Sequence, residues 1–316
     1  MNRMSLLATL TAIFVAHATW VVLTQAPRPG VRAQKVKGDL YMLTGDGGNV
    51  AAYVTTEGVI LVDDMYYRNH DAIMAQLQQL SDRPLKYVFN THQHDDHAGG
   101  DAKMLPIAEV IAHKNARANL IAKKPPFFEE TPGTPIGLPR VTFSDETSVF
   151  LGGKEVRASY FGRGHTSGDA VIYFPELGVV HTGDLYLSTR PAAGRAGAPP
   201  PADRPVSVPI FVDYSQGGSF LDWTGTLDRL LKLDFDTVIP GHGSLATKAD
   251  LVKFRADLET MRKRIQGFIR GGTSRDELVK ILESDYGWRA TGCPPSPPRA
   301  GCLQYQQVDG LIAELR

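Results

Sequence analysis

Asn90-Thr91-His92-Gln93-His94-Asp95-Asp96-His97-Ala98-Gly99-Gly100 decides how the rest of this chain is read. It directly follows a short apolar run, Tyr87–Asn90, that reads as a buried β-strand, and it closes on two glycines. Side chains two apart on extended backbone point the same way. An extended turn here would let His92 and His94 grip one ion, while Asp96 and His97 face a second on the far side. The bland alternative is a histidine tract that binds metal nonspecifically, and such a tract needs no companions elsewhere.

Companions are present. Gly164-His165-Thr166-Ser167-Gly168-Asp169 follows the β-prone run Glu155–Phe161, His181-Thr182-Gly183-Asp184 closes Val179–His181, and Pro240-Gly241-His242-Gly243 closes Thr237–Ile239. Each polar group stands just past an expected strand, where α/β folds expose their sites, and the glycines let backbone crowd an ion. Five histidines and two aspartates of this kind suit a pair of borderline cations such as Zn²⁺.

On these motifs the chain resembles the metallo-β-lactamase superfamily of hydrolases over roughly residues 38–250. The His-x-His-x-Asp-His signature at 92–97 carries the resemblance, and the other motifs stand in the family's order. The resemblance implies an α/β fold, a four-layer αββα sandwich with C-terminal helices and the metals at one edge. It implies two Zn²⁺ per chain, the first bound by His92, His94 and His165, the second by Asp96, His97 and His242, with Asp184 bridging both. Two such ions about 3.5–4 Å apart can share a hydroxide that is available at neutral pH. Asp96 and Asp184 are therefore the candidate catalytic residues, Asp96 as a ligand that also orients the hydroxide or relays a proton. Asp63 and Asp64 end the Val59 strand and are candidates either for holding a ligating imidazole from behind or for a turn or helix cap. His181 is expected to be packed or hydrogen-bonded rather than ligating, and His70 and His113 to be surface or structural. Phe127, Phe128, Tyr186, Phe211 and Tyr214 lie in or beside two Pro/Gly-rich insertions and are read either as pocket lining or as ordinary packing.

Fold and ligands do not choose the substrate. The preferred reading is an exported zinc-dependent hydrolase of a small-molecule ester, lactone, thioester or amide. A true β-lactamase is the first alternative, weakened because the best-known β-lactamase groups carry Cys or Ser where Asp184 stands. A glyoxalase II-like thioesterase is the second, and no counterpart of its C-terminal region is legible in residues 251–316. Redox relatives place a Glu where His94 stands, which disfavours a di-iron role. A zinc-binding module without catalysis would tolerate missing ligands, and none is missing.

The rest of the chain is read around this centre. With 34 basic and 34 acidic residues in 316, the formal net charge is zero. That balance disfavours a nucleic-acid partner and a general binder of anionic membranes. Residues 1–33 are laid out as a signal peptide: Arg3, the apolar run Leu6–Val22, and small residues before a cut after Ala33. An uncleaved membrane anchor is the other reading, and both place the protein outside the cytoplasm, periplasmic or secreted. Cys293 and Cys302 bracket a Pro-rich loop and fit a local disulfide in an oxidising compartment. The organisation read from sequence is thus a leader, a catalytic domain over 38–250, and a helical extension over 251–316 carrying the cysteine loop, with the oligomeric state open.

Overall fold

The computed structural model describes residues 30–122, 135–188, 210–286 and 305–316. Phe127, Phe128, Cys293, Cys302 and the expected leader up to residue 29 lie outside them.

The first half opens with strands β1 (Arg32–Lys37), β2 (Leu40–Thr44), β3 (Val50–Val54) and β4 (Val59–Val62), followed by helix α1 (His70–Leu80) and strand β5 (Leu85–Phe89). Two single-turn helices come next, α2 (Asp95–Ala98) and α3 (Asp101–Met104), then β6 (Glu109–His113), α4 (Lys114–Ala122) and β7 (Val141–Phe143). These seven strands form one sheet in chain order. It is antiparallel through β4 and parallel from β4 to β7.

The second half contributes β8 (Glu146–Leu151), β9 (Lys154–Ser159), β10 (Val171–Phe174) and β11 (Val179–His181), then α5 (Phe220–Leu230), β12 (Thr237–Ile239) and β13 (Ala246–Thr247). Its six-stranded sheet runs β13-β12-β11-β10-β9-β8, parallel only between β11 and β12. Helices α6 (Lys248–Arg270), α7 (Arg275–Tyr286) and α8 (Tyr305–Leu315) complete the chain.

Strand alternation explains the layering. In β4, Ile60 and Val62 enter the core between the two sheets, while Val59 and Leu61 enter the core under α1. In β3, Ala51 and Tyr53 face the first of these cores, and Val50 and Ala52 the second. A strand buried on both faces must be apolar at every position, which is why β4 reads Val-Ile-Leu-Val. On the far side of the second sheet, Phe220, Trp223, Leu227 and Leu230 of α5 share a third core with Leu251, Leu258, Met261 and Ile265 of α6. The Thr247 side chain accepts from Asp250 N–H and the Asp250 side chain returns the bond, a capping box that fixes where α6 starts. The result is the expected αββα sandwich with helices at the C-terminus.

The N-terminal edge departs from expectation. The strand-rich part begins at β1 rather than near residue 38, and Ala33 pairs with Leu43 inside it. Val31 is buried in the core under α1, and Ala33 packs against that core. The small residues that look like a cleavage signal are the ones this edge strand turns inward. Among the described residues, no helix is long and apolar enough to cross a membrane.

Candidate metal centre

The polar groups picked out in the sequence all follow strands that point to one edge of the sandwich. The chain leaves β4 at Asp63 and β5 at Asn90. It reaches His165 after β9, Asp184 after β11 and His242 after β12. Residues 92–97 are not one extended turn. His94 is extended (φ −66°, ψ 146°) and caps the N-terminus of α2, so Asp96 and His97 ride on a helical turn. That turn, rather than strand alternation, swings Asp96 and His97 away from His92 and His94.

Two donor sets result. His94 Nδ1 lies 3.2 Å from His92 Nε2 and 2.8 Å from His165 Nε2. In the second set His242 Nε2 lies 3.2 Å from His97 Nε2 and 3.1 Å from Asp96 Oδ2. Asp184 stands between them. Its Oδ1 is 3.2 Å from His97 Nε2 and 3.6 Å from His242 Nε2, while its Oδ2 is 3.6 Å from His165 Nε2. The structure therefore brings together all seven residues anticipated as ligands. His92, His97 and His165 are buried, and His242 is the most open of the seven, its side chain 37% exposed, so the centre meets solvent beside it.

The outward nitrogens show what the inward ones can do. His97 Nδ1 donates to Asp63 Oδ2 at 2.8 Å, and His94 Nε2 to Asp213 Oδ2 at 2.9 Å. His165 Nδ1 donates to the Phe211 carbonyl at 2.6 Å. Thr91 Oγ1 gives its proton to Asp63 Oδ2 and is 3.1 Å from His92 Nδ1, so the imidazole is the donor there. With the proton placed outward on these four rings, the inward nitrogens carry lone pairs. Lone pairs that face one another at 2.8–3.2 Å repel unless a cation lies among them. Asp184 Oδ1 is buried and accepts no well-aligned hydrogen bond among the described residues. The donor set fits divalent cations held by imidazole and carboxylate.

Charge agrees with this. Burial alone would lower the His97 pKa, but Asp184, Asp96 and Asp63 together hold it well above its ordinary value. Burial would likewise raise the carboxyls, yet His242 and His97 keep Asp184 well below the usual range, and His97 and His242 keep Asp96 low. Burial and the neighbouring His97, His165 and His94 push His92 well below its usual pKa, with Asp184 opposing them only in part. Burial and His94 bring His165 down to about 4. A neutral imidazole is the form that ligates, which His92 and His165 already favour, whereas His97 is held toward the imidazolium by its carboxylates and would exchange its inward proton for a bound cation.

Asp63 and Asp64 part company. Asp63, held at a left-handed φ of 62°, accepts Thr91 N–H at 2.7 Å as well as Thr91 Oγ1 and His97. It is the imidazole partner. Asp64 instead accepts Gly100 N–H at 2.9 Å and faces Asp101. His181 is packed as expected, its Nε2 donating to the Asn49 carbonyl at 3.0 Å and its Nδ1 accepting from Gly183 N–H at 3.1 Å. His113 stacks on Tyr160 with centroids 4.0 Å apart, and His70 pairs with Asp71. Tyr186 packs on Phe254, and the Phe211 ring lies 6.1 Å and 5.6 Å from the His94 and His165 rings.

Asp213 and Gly48 were not foreseen, and Gly241 only as one of the motif glycines that let backbone crowd an ion. Asp213 holds His94 from 119 residues away. A Cβ on Gly48 would lie 2.2 Å from the His97 ring, and one on Gly241 would lie 2.0 Å from Asp184 Oδ1. Both positions must be glycine for the ligands to stay where they are. Gly241 stands inside the Pro240–Gly243 motif, while Gly48 lies in a Gly-rich turn far from the ligand motifs in sequence and Asp213 carried no local signal.

A model of the metallo-beta-lactamase superfamily matches residues 43–242. Over 238 residues the chain is 25% identical to the alpha subunit of 2,4-dinitroanisole O-demethylase from Nocardioides sp. (strain JS1661), a match that covers 73% of this chain and 62% of that one. It is 29% identical over 136 residues to metallo-beta-lactamase IND-1 of Chryseobacterium indologenes, covering 43% of this chain and 53% of that protein. The matched regions thus span about half to six-tenths of these two relatives. Among solved structures, DIM-1 metallo-beta-lactamase superposes with a TM-score of 0.57 at 20% identity, over 74% of this chain and 100% of that one.

Proposed function

Because this chain belongs to the metallo-β-lactamase superfamily, we propose that it is an exported hydrolase that uses two zinc ions to cleave an ester, lactone, thioester or amide bond of a small molecule. The observation that carries this reading is the convergence of five imidazoles and two carboxylates, with the two oxygens of Asp184 turned toward different donor sets. His92, His94 and His165 would hold one ion and Asp96, His97 and His242 the other, with Asp184 between them. Bound zinc supplies a water of lowered pKa and polarises the scissile carbonyl.

The chain's own residues set the conditions for that chemistry. Asp63, Asp213, Thr91 and the Phe211 carbonyl fix the imidazole tautomers, so that no ligand must reorganise as charge develops. Asp96, 24% exposed, is the more open of the two carboxylates, and its depressed pKa keeps it ionised as a hydrogen-bond acceptor. Export rests on the layout of the N-terminal sequence. The likeness to IND-1 favours a second reading, a β-lactamase met by its substrates outside the cytoplasm.

The test is metal content together with a substrate panel. About two zincs per chain are expected, and Asp184→Ala should lower both metal content and turnover. One ion or none in the wild type, or full activity in Asp184→Ala, refutes the binuclear reading. Lactones, thioesters, esters, β-lactams and 2,4-dinitroanisole are to be compared side by side. Nitrocefin cleavage with a kcat/KM of about 10⁴ M⁻¹s⁻¹ or more would place the β-lactamase reading first.

A further inference from the structure

We propose that the C-terminal helix α8 is a positioning element for the three-histidine set, acting through the carboxylate of Glu314. The inference rests on the reading that this set holds a metal ion.

Glu314 accepts three hydrogen bonds from one short stretch of chain. Tyr214 Oη donates at 3.0 Å and Phe220 N–H at 2.9 Å, both to Oε2, and Ser219 Oγ donates to Oε1. The Ser219 hydroxyl in turn caps α5 by accepting from Asp222 N–H at 3.0 Å. Two more contacts fasten the same stretch to α8. Gln307 Nε2 donates to the Val212 carbonyl at 3.4 Å, and Gly310 lies so close to the Tyr214 ring that a Cβ there would meet it at 2.4 Å. Residues 211–220 are therefore gripped at Val212, Tyr214, Ser219 and Phe220 by one face of a single helix.

The gripped stretch supplies the outward partners of two of the three imidazoles. Asp213 holds His94, and the Phe211 carbonyl holds His165. Asp213 is itself braced, its Oδ1 accepting from Ser215 Oγ at 2.5 Å and Gln216 N–H at 3.1 Å, while its N–H donates to the His165 carbonyl at 2.8 Å. Ser219 N–H donates to the Gly164 carbonyl at 2.8 Å. Among the described residues, no hydrogen bond from α8 reaches the second set or its outward partners. The outward partner of His97 is Asp63, at the end of β4 on the other sheet. Loss of Glu314 leaves a tyrosine hydroxyl, a serine hydroxyl and a backbone N–H without their acceptor at the point where the stretch turns into α5. Asp213 and Phe211 then lose their fixed position, and His94 and His165 lose theirs. The effect is specific to one donor set, which separates it from general loss of stability.

The experiment compares wild type, Glu314→Ala, Glu314→Gln and Tyr214→Phe in the full chain. Stepwise Zn²⁺ affinities are measured by competition with a chromophoric chelator. The downfield imidazole N–H proton of His94, held by Asp213, is followed by NMR in the zinc-loaded proteins. For Glu314→Ala one of the two affinities should fall about tenfold or more, the other should stay within about twofold, and the His94 N–H signal should broaden through exchange. Glu314→Gln, which keeps one acceptor oxygen, should recover part of the loss. Wild-type protein that binds no zinc overturns the metal reading itself. Two wild-type ions with unchanged affinities and signal in Glu314→Ala overturn the inference alone, as does an equal fall in both affinities. If Glu314→Ala does not fold, Tyr214→Phe decides, since it removes one hydroxyl and leaves the other two bonds to Glu314.

Discussion

Replacing Asp63 by asparagine separates the tautomer of His97 from everything else that residue does. The Asp63 carboxylate is fully buried and receives three donors: Thr91 N–H on Oδ1 at 2.7 Å, and Thr91 Oγ1 and His97 Nδ1 on Oδ2 at 2.8 Å each. Alanine would strip all three. At about 1–3 kcal/mol for each buried donor left unpaired, the loss would approach the whole stability of a domain, about 5–15 kcal/mol, and would say little about metal. Asparagine tolerates the left-handed φ of 62° and keeps one oxygen. If that oxygen stays on Thr91 N–H, the amide NH₂ faces His97 Nδ1. The imidazole then relieves the clash by moving its proton to Nε2, which removes the inward lone pair. Flipping the amide instead sets NH₂ against the Thr91 N–H, which is worse because a backbone donor cannot change role. The second donor set should therefore lose about 10–100-fold in zinc affinity, about 1.4–2.7 kcal/mol, while the three-histidine set loses less. Chelator competition on folded Asp63→Asn protein measures both steps. Two affinities within twofold of wild type would refute the argument that Asp63 sets the His97 tautomer.

Two further outcomes follow from packing and from burial. Gly241→Ala places a methyl 2.0 Å from Asp184 Oδ1 and 2.6 Å from the Gly183 carbonyl carbon; with both side chain and backbone in the way, the protein should lose stability and its folded fraction should hold fewer than two zincs by metal analysis, and a full complement would show that the strand end simply shifts. Burial raises the Asp101 carboxyl to about 7 and raises Asp64 well above its usual range beside it, with Asp64 Oδ2 and Asp101 Oδ2 lacking a donor unless one carboxyl keeps its proton. The unfolded chain releases that proton near pH 4 and the folded one near 7, so the folded state binds more protons in between and stability falls as pH rises through that window. Asp101→Asn can accept from Asn90 Nδ2, as Asp101 does at 3.0 Å, and donate to Asp64 without a titrating proton. Its stability relative to wild type in urea denaturation should therefore climb from pH 5 to pH 8; a difference that does not change with pH would count against the shared proton.

What the sequence showed depended on distance along the chain. The candidate ligands were legible because each sits in a compact motif at the end of a hydrophobic run, as His165 does in Gly164–Asp169 and Asp184 in His181–Asp184. Their supports were legible only in part. Asp213 ends a Pro/Ala/Gly-rich stretch and meets His94 only once both sheets are in place. Asp63 and Asp64 are chemically identical neighbours after β4, and only the left-handed backbone at Asp63 decides which of them turns toward His97. β1 was hidden because Val31 and Ala33, small and apolar, meet a cleavage pattern as well as they meet a core. The helical turn at Asp95–Ala98 carries two aspartates and a histidine, poor helix formers, and exists because tertiary contacts such as Gly48 N–H on the Asp96 carbonyl at 2.8 Å hold it.

Each donor set draws on both sheets: His92 and His94 follow β5 in the first, and His165 follows β9 in the second; Asp96 and His97 belong to the first half, and His242 follows β12 in the second. During synthesis the chain makes its histidine-rich motif early and can complete neither set with it. The first set waits for residue 165 and for Asp213 to brace it, and the second waits for residue 242. If the two sets bind metal as proposed, capture of both ions would report on finished assembly. On the two-zinc reading, a chain cut short before β12 would keep His92, His94 and His165 but lack His242 and so could fill only the first set, and filling both would require the two halves to have folded onto each other.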